Sequence, residues 1–416
     1  MNCIRSFATV AVAAAALSSV AFAQPAAGRG GRGSPAVVSP EVLADGRVTF
    51  RVLAPDANKV TFVDNDGITS SSSLGPPPAN GLALTKNQQS GIWEATYGPL
   101  PPGAYRYAFQ ADGVKALDPV NTQLSESNTA TWSLFTVPGS QLMDTRVVPH
   151  GAVASVFYYS AVLKTTRRMH IYTPPGYEAG NQKYPVFYLL HGAMDTDDAW
   201  TSVGRAGFIL DNLLADKKIK PMIVVMPAGH QPPQTGAPSA ARSGDGSASA
   251  VNPFTSEFMT DIMPYVEKHF RTITDRAHRA IAGLSMGGGQ TLDIAFRHLN
   301  LFAYIGVFSS GASLGGGRRG PAAPAQGAAP VTAPAAPPRP DWETVHKADL
   351  DNAALKKGLK LIWLSTGVND GLITSTMSTV ELLKKHGFQP VFKESPGVHS
   401  WINWRNYLSE FAPQLF

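Results

Sequence analysis

Cysteine is almost absent from this chain: Cys3 is the only thiol in 416 residues. It falls in an N-terminal stretch that reads as a removable targeting segment. The mature protein is therefore expected to carry no disulfide, and thiol catalysis and cysteine-ligated metals are excluded. A chain this long buries enough surface to fold without cross-links. Charge is sparse as well, with 16% Asp, Glu, Lys and Arg against 44% hydrophobic residues. That balance excludes a disordered or fibrous chain and indicates real cores. Beyond the N-terminus no run is apolar and long enough to span a bilayer.

The start of the chain has its own pattern. Arg5 is followed by an apolar stretch from Phe7 to Val20 and by Ala21-Phe22-Ala23 ahead of Gln24. A positive start, a short apolar run and a small-x-small site make a secretory signal peptide over residues 1–23, so a secreted or periplasmic protein is expected. Residues 24–40 read as a flexible leader rich in Gly, Pro, Ala and Arg. The formal charge of +5 includes "GRGGRG" at 28–33 and "GGGRRG" at 315–320. Such tracts suit RNA, but in an exported chain they read as solvated linker, and no nucleic-acid partner is expected.

Residues 41–137 have an all-β texture. "RVTFRVLA", "KVTFVDN", "GLALTKN", "GIWEATYG" and "AYRYAFQAD" alternate with turn signals such as "APDAN" and "PLPPG", which predicts a small immunoglobulin-like sandwich. Its aromatics Trp93, Tyr97, Tyr105 and Tyr107 suit a sandwich core better than a sugar platform. Residues 138–150 read as a linker. From 151 to 416 the rhythm becomes strand–helix alternation, from "YPVFYLLHG" to "WRNYLSEFAPQLF". That predicts an α/β domain with a mostly parallel sheet covered by helices on both faces. Two long low-complexity segments interrupt it, 231–252 and an Ala/Pro/Gly-rich insert at 311–340; the insert reads as a flap over the cleft.

Within that domain "RAIAGLSMGGGQTLDIAF", residues 279–296, places Ser285 between Gly283 and Gly287. Gly-x-Ser-x-Gly between a strand and a helix is the nucleophile elbow of α/β-hydrolases. The turn is so tight that side chains at the flanking positions collide, which explains the glycines. It lifts the hydroxyl above the sheet and brings the Met286 amide, at the helix start, toward the same space.

A serine hydroxyl needs a base, and the base an orienting acid. Along this fold the order is Ser, acid, His. Three histidines follow residue 300: His346, His386 and His399. His386 ends a helix and reads as a cation at its C-terminus; His346 precedes the fifth strand and is out of order. His399, in "ESPGVHSW" after the last strand, is the expected base. Asp370, closing "LIWLSTGVND", is the expected acid. The oxyanion hole needs a second amide beside Met286, and the turn after "YLLHG" offers that of Ala193. His191 is expected to brace that loop, and the Asp residues of "HGAMDTDD" to cap the next helix, so neither metal nor other cofactor is expected.

These segments, with "GRAGFILDNLLADKKIKPMIVVMP" and the C-terminal "ESPGVHSWINWRNYLSEFAPQLF", resemble the secreted carbohydrate esterases of family one. That family comprises feruloyl and acetyl-xylan esterases on an esterase-D-like α/β-hydrolase fold. Residues 38–137 resemble the early-set immunoglobulin-like modules found ahead of such enzymes. The resemblance implies a serine carboxylic-ester hydrolase acting on plant cell-wall polysaccharide or feruloylated oligosaccharide. Feruloyl esters of arabinoxylan lead, acetyl-xylan and siderophore esters are the alternatives, and a non-catalytic carbohydrate-binding protein is disfavoured by the intact set Ser285, Asp370 and His399. A ferulate slot would draw on Trp401, two residues after His399, and on Trp200, beyond the oxyanion loop.

Overall fold

A computed structural model describes residues 37–64, 82–231, 252–312 and 341–416. The signal peptide, nearly all of the leader, most of the 231–252 segment and all of the 311–340 insert except Gly311 and Ala312 lie outside the described residues.

Among the described residues, ten strands build the sandwich. One sheet has the order β1 (Glu41–Val42), β2 (Val48–Leu53), β6 (Ile92–Tyr97) and β5 (Thr85–Lys86). The other runs β4 (Leu82–Ala83), β3 (Val60–Asp64), β7 (Gly103–Ala111), β10 (Thr131–Val137) and β9 (Leu124–Glu126), with β8 (Val114–Ala116) hairpinned onto β7. Side chains alternate across a strand, so Val48, Phe50 and Val52 face inward together with Tyr105, Tyr107 and Phe109. Trp93 and Tyr97 join the same core, which settles all four aromatics as packing residues. The module begins earlier than residue 41, because the Ser39 hydroxyl donates to the buried Asp118 carboxylate at 2.6 Å.

β7 is buried on both faces. Its odd-numbered residues fill the sandwich, whereas Ala104 joins Leu134 of β10 in a core shared with the second domain. The sandwich is thus docked through the outer face of β7 and β10. The 138–150 segment is pinned rather than free: Met143 sits in that same core, and Asn212 donates to the carbonyls of Leu142 and Asp144, each at 2.9 Å.

Among the described residues, the second domain has one sheet of eight strands, in the order β11 (Ala152–Ser160), β12 (Thr165–Thr173), β14 (Ile223–Pro227), β13 (Val186–Leu190), β15 (Arg279–Leu284), β16 (Tyr304–Phe308), β17 (Leu361–Gly367) and β18 (Val391–Ser395). From β14 to β18 every pairing is parallel; β12 runs antiparallel to both its neighbours. The alternating strands and helices anticipate the parallel part, but not the β11–β12 ribbon.

Helices cover both faces: α1 (Ala206–Ala215), α2 (Pro253–Glu257), α3 (Met263–His269), α4 (Met286–Arg297), α5 (Trp342–Leu350), α6 (Ala353–Lys357), α7 (Ile373–Lys385) and α8 (Trp401–Phe411). A π turn at Phe258–Ile262 fuses α2 to α3. Along β13, Val186, Tyr188 and Leu190 enter one core, and Phe187 and Leu189 enter the other.

Phe411 of α8 is fully buried and meets Phe187, Phe308 and Trp363 at ring-centroid distances of 5.7–5.8 Å. Replacing it with Ala leaves a cavity beneath three strands and should cost about 3–5 kcal/mol of stability. Phe157→Ala on β11, where the ring is 65% exposed, should change stability by less than about 0.5 kcal/mol. Denaturant titration of the two variants checks the contrast.

Candidate active site

The site is assembled at the carboxyl ends of parallel strands. β15 ends at Leu284, and Ser285 follows with φ 51° and ψ −116°, a strained backbone that leads straight into α4. The Ser285 amide is held by the Phe308 carbonyl at 2.9 Å, while its own carbonyl accepts from Gly288 and Gly289. The flanking glycines are required by contact. A Cβ on Gly283 would lie 2.3 Å from the Gly287 oxygen, and one on Gly287 would lie 2.5 Å from the His191 oxygen.

His399, on the loop after β18, places Nε2 3.0 Å from the Ser285 hydroxyl oxygen and Nδ1 3.0 Å from both carboxylate oxygens of Asp370. Asp370 is buried, and His399 is about one-third exposed. Burial pushes the Asp370 carboxyl up. Hydrogen bonds from His399, the Leu372 amide and the Ser309 hydroxyl outweigh it and hold the group below the usual carboxylate value. Ser309 follows β16 with φ 48°, and its oxygen accepts from the Trp404 indole at 3.0 Å. Trp404 also meets the His399 ring edge-on at 4.9 Å. Sequence reading did not assign Ser309 or Trp404 to this support. Their only signal is position, one residue past a strand end and five past His399.

The other amides are oriented by their neighbours. The Gly192 carbonyl accepts from His191 Nδ1 at 2.8 Å and from the Asp195 amide at 3.1 Å. Across a trans peptide the N–H points opposite to the carbonyl, so the Ala193 amide is turned away from those donors. Neither it nor the Met286 amide has an acceptor among the described residues. A Cβ on Gly192 would lie 3.5 Å from Ser285 Cβ, so the two turns adjoin.

Several sequence expectations change. Trp200 and Trp401 are 1% and 2% exposed and pack edge to face at 5.0 Å in the core under the histidine loop. They form no wall of an open slot, because large indoles next to active-site loops are also the natural filling beneath them. The acidic run does not cap a helix, since α1 starts from Arg205 in the left-handed region. Asp195 instead pairs with Arg106 of β7, Asp197 with Arg168 and His170, and Asp198 accepts from the Glu126 amide. His386 sits at the end of α7, paired with Asp351 and Glu343, and His346 is buried beside Asp293; both are away from Ser285.

Fold and geometry together are those of an α/β-hydrolase. More particularly, residues 160–415 match the Esterase family model, described as "Putative esterase", and the chain belongs to that family of carboxylic-ester hydrolases. An endo-1,4-β-xylanase/feruloyl esterase of Xylanibacter ruminicola is 29% identical over 392 residues, covering 91% of this chain and 46% of that protein. The chain spans less than half the length of the curated relatives it matches. Among solved structures, a ferulic acid esterase of Anaeromyces mucronatus superposes with a TM-score of 0.53 at 25% identity, covering 67% of this chain and 95% of its own. The enterochelin esterase of Shigella flexneri gives 0.56 at 15% identity over 90% and 94%. That likeness is of fold, and its extent takes in the sandwich.

His191 ties the site together and sets a pH dependence. Its Nδ1–H donates to Gly192 and its Nε2 accepts from the Gly229 amide at 2.8 Å, an arrangement that only the neutral ring can make. Burial lowers its pKa from 6.5 to about 4. The unfolded chain therefore binds the proton more readily, and this contribution to stability falls as pH drops from 6.5 to about 4. The loss amounts to about 3 kcal/mol. His191→Asn, which cannot titrate, should show a correspondingly shallower decline of unfolding free energy across that window; equal slopes in the two proteins would refute the assignment.

Proposed function

We propose that the protein is an exported serine esterase that removes aromatic acyl groups, feruloyl above all, from plant cell-wall polysaccharide or its oligosaccharides. The observation that carries this reading is the continuous relay from the Ser285 hydroxyl through both nitrogens of His399 to the buried Asp370. In the mechanism this geometry supports, Ser285 Oγ attacks the ester carbonyl as His399 Nε2 takes its proton. Asp370 holds the opposite N–H and stabilises the imidazolium. The amides of Met286 and Ala193 receive the tetrahedral oxyanion. Collapse expels the sugar hydroxyl, which leaves with the proton from His399, and water repeats the sequence on the acyl-enzyme.

An aromatic acyl group is supported by the loops that carry the site. With Trp200 and Trp401 withdrawn into the core, the large apolar side chains left exposed on the loops that carry the site, among the described residues, are Met194, Val368, Leu372 and Val398, each 37–56% exposed. Met194 adjoins Ala193, Leu372 lies two residues from Asp370, and Val398 adjoins His399. Apolar side chains left open beside a site suit a flat ring; an acetyl group would leave most of them uncovered. The names of the Xylanibacter and Anaeromyces proteins point the same way. Export is supported by the pattern of residues 1–23.

Ser285→Ala should abolish ester turnover with an unchanged melting temperature, and His399→Ala and Asp370→Asn should each lose about 10³-fold or more in kcat. A nearly normal His399→Ala enzyme beside a dead His386→Ala enzyme would overturn the assignment.

For the substrate, kcat/KM should be higher for methyl ferulate than for an acetyl ester or a catecholate trilactone. Leu372→Ala, which keeps the amide that holds Asp370 and adds no charge, should raise KM for methyl ferulate several-fold while leaving the acetyl ester nearly unaffected. A preference for acetyl esters throughout would make the enzyme an acetyl-xylan esterase.

A further inference from the structure

The run Asp195–Asp198 follows the Ala193 turn directly, and three of its four residues are engaged by the sandwich or by side chains that the sandwich also holds. Arg106 of β7 and Asp195 form an ion pair at 2.8 Å, with both side chains at most 4% exposed. Ser127, in the turn between β9 and β10, makes an isolated antiparallel bridge with Asp195. The Asn128 amide donates to the Met194 carbonyl at 3.0 Å, and its side-chain amide reaches the Ala193 carbonyl at 3.4 Å. Further along, the Glu126 amide donates to Asp198 at 2.9 Å, and Arg168 bridges Glu126 and Asp197. The turn that carries the Ala193 amide is therefore gripped on its sandwich side at residues 193, 194 and 195.

The grip bears on one hydrogen bond. The Asp195 amide donates to the Gly192 carbonyl, and that carbonyl's direction sets where the Ala193 N–H points. Asp195 Oδ2 also lies 3.4 Å from where a Gly192 Cβ would be, so the carboxylate backs the turn directly. A charge pair buried this deeply is held in one geometry, because any other leaves a desolvated charge unpaired. His191 holds the same carbonyl from the hydrolase side. The peptide is fixed from two domains at once.

We infer that the sandwich is a working part of the ester-hydrolysing site: Arg106 and the 127–130 turn are positioning elements that hold residues 192–195 so that the Ala193 amide meets the developing oxyanion. The inference rests on Ala193 acting as an oxyanion donor. It assigns the N-terminal module a role in turnover that does not depend on binding polysaccharide.

The test uses the full chain with p-nitrophenyl acetate and its thiono analogue, in which sulfur replaces the carbonyl oxygen. Sulfur is a poor hydrogen-bond acceptor, so the ratio of kcat on the two esters reads the oxyanion hole and little else. The wild type should prefer the oxo ester strongly. Arg106→Met should lower kcat on the oxo ester about tenfold or more, with KM within about twofold. Its rate on the thiono ester should change little, so the ratio narrows. Arg106→Lys should restore part of the ratio. Asn128 is exposed, so Asn128→Gly should fold normally and narrow the ratio by a smaller factor; it carries the test if Arg106→Met does not fold. An unchanged ratio in the folded variants overturns the inference, whether both rates are retained or fall in parallel. A wild type without preference between the two esters shows that the oxyanion assignment itself has failed.

Discussion

The rest of the site depends on one steric constraint, the turn at Ser285. A positive φ at a serine costs about 1–3 kcal/mol, and the turn persists because the surroundings leave no alternative. Gly283 and Gly287 are in backbone contact, and Gly287 is wedged against the end of β13 at Leu190 and His191. The turn at Ser285 and the turn after β13 are therefore parts of one packed unit. Parallel pairing of β13 with β15 brings the two strand ends level, with Leu190 beside Gly283. The same strain recurs one strand over. Ser309 follows β16 with positive φ, as Ser285 follows β15, and its hydroxyl is turned to the buried Asp370.

A chain with one thiol has to fix its two domains by other means. An apolar contact alone, such as the core that Ala104 and Leu134 share with Trp200 and other hydrolase residues, tolerates sliding because it is non-directional. Buried ionic and hydrogen-bonding groups do not. Arg405 of α8 is 1% exposed and donates to the carbonyls of Ala104 in the sandwich and Val203 in the hydrolase domain. Arg106 with Asp195 acts likewise, and the partly exposed Arg168 adds a bridge to Glu126 and Asp197. Such groups add little net stability over apolar replacements, but they admit a single docking geometry. In a hydrolase whose Gly192–Asp195 turn, next to the nucleophile elbow, lies at that boundary, geometry matters more than affinity.

Much of this was legible from the sequence, and the misses have physical causes. That Ser285, Asp370 and His399 come together was legible because their places follow from strand ends and chain order, which periodicity exposes. The parallel strands were found because burial on both faces leaves continuous apolar runs. The ribbon β11–β12 was not, since β11 has an exposed face with Phe157 and Tyr159 and β12 is rich in Arg and His, paired with acids far along the chain. Trp200 and Trp401 were misplaced because distance along the chain from His399 and Ala193 carries no direction. The acidic run was misread because its partners, Arg106 and the Glu126 amide, lie roughly 70 to 90 residues upstream. No local rule reaches that far.

The signal for that docking was nevertheless present in β7. "AYRYAF" has no polar face: one set of alternating residues is aromatic, and the other is Ala104, Arg106 and Ala108. A sandwich strand exposed to water on one side shows polar residues there. Small residues flanking a single arginine instead describe a surface made to be covered, with a carboxylate required at one point. The cover is the hydrolase domain, and the carboxylate is Asp195, two residues past Ala193. Read this way, the strand indicates both that the sandwich is docked and which turn of the neighbouring domain it grips.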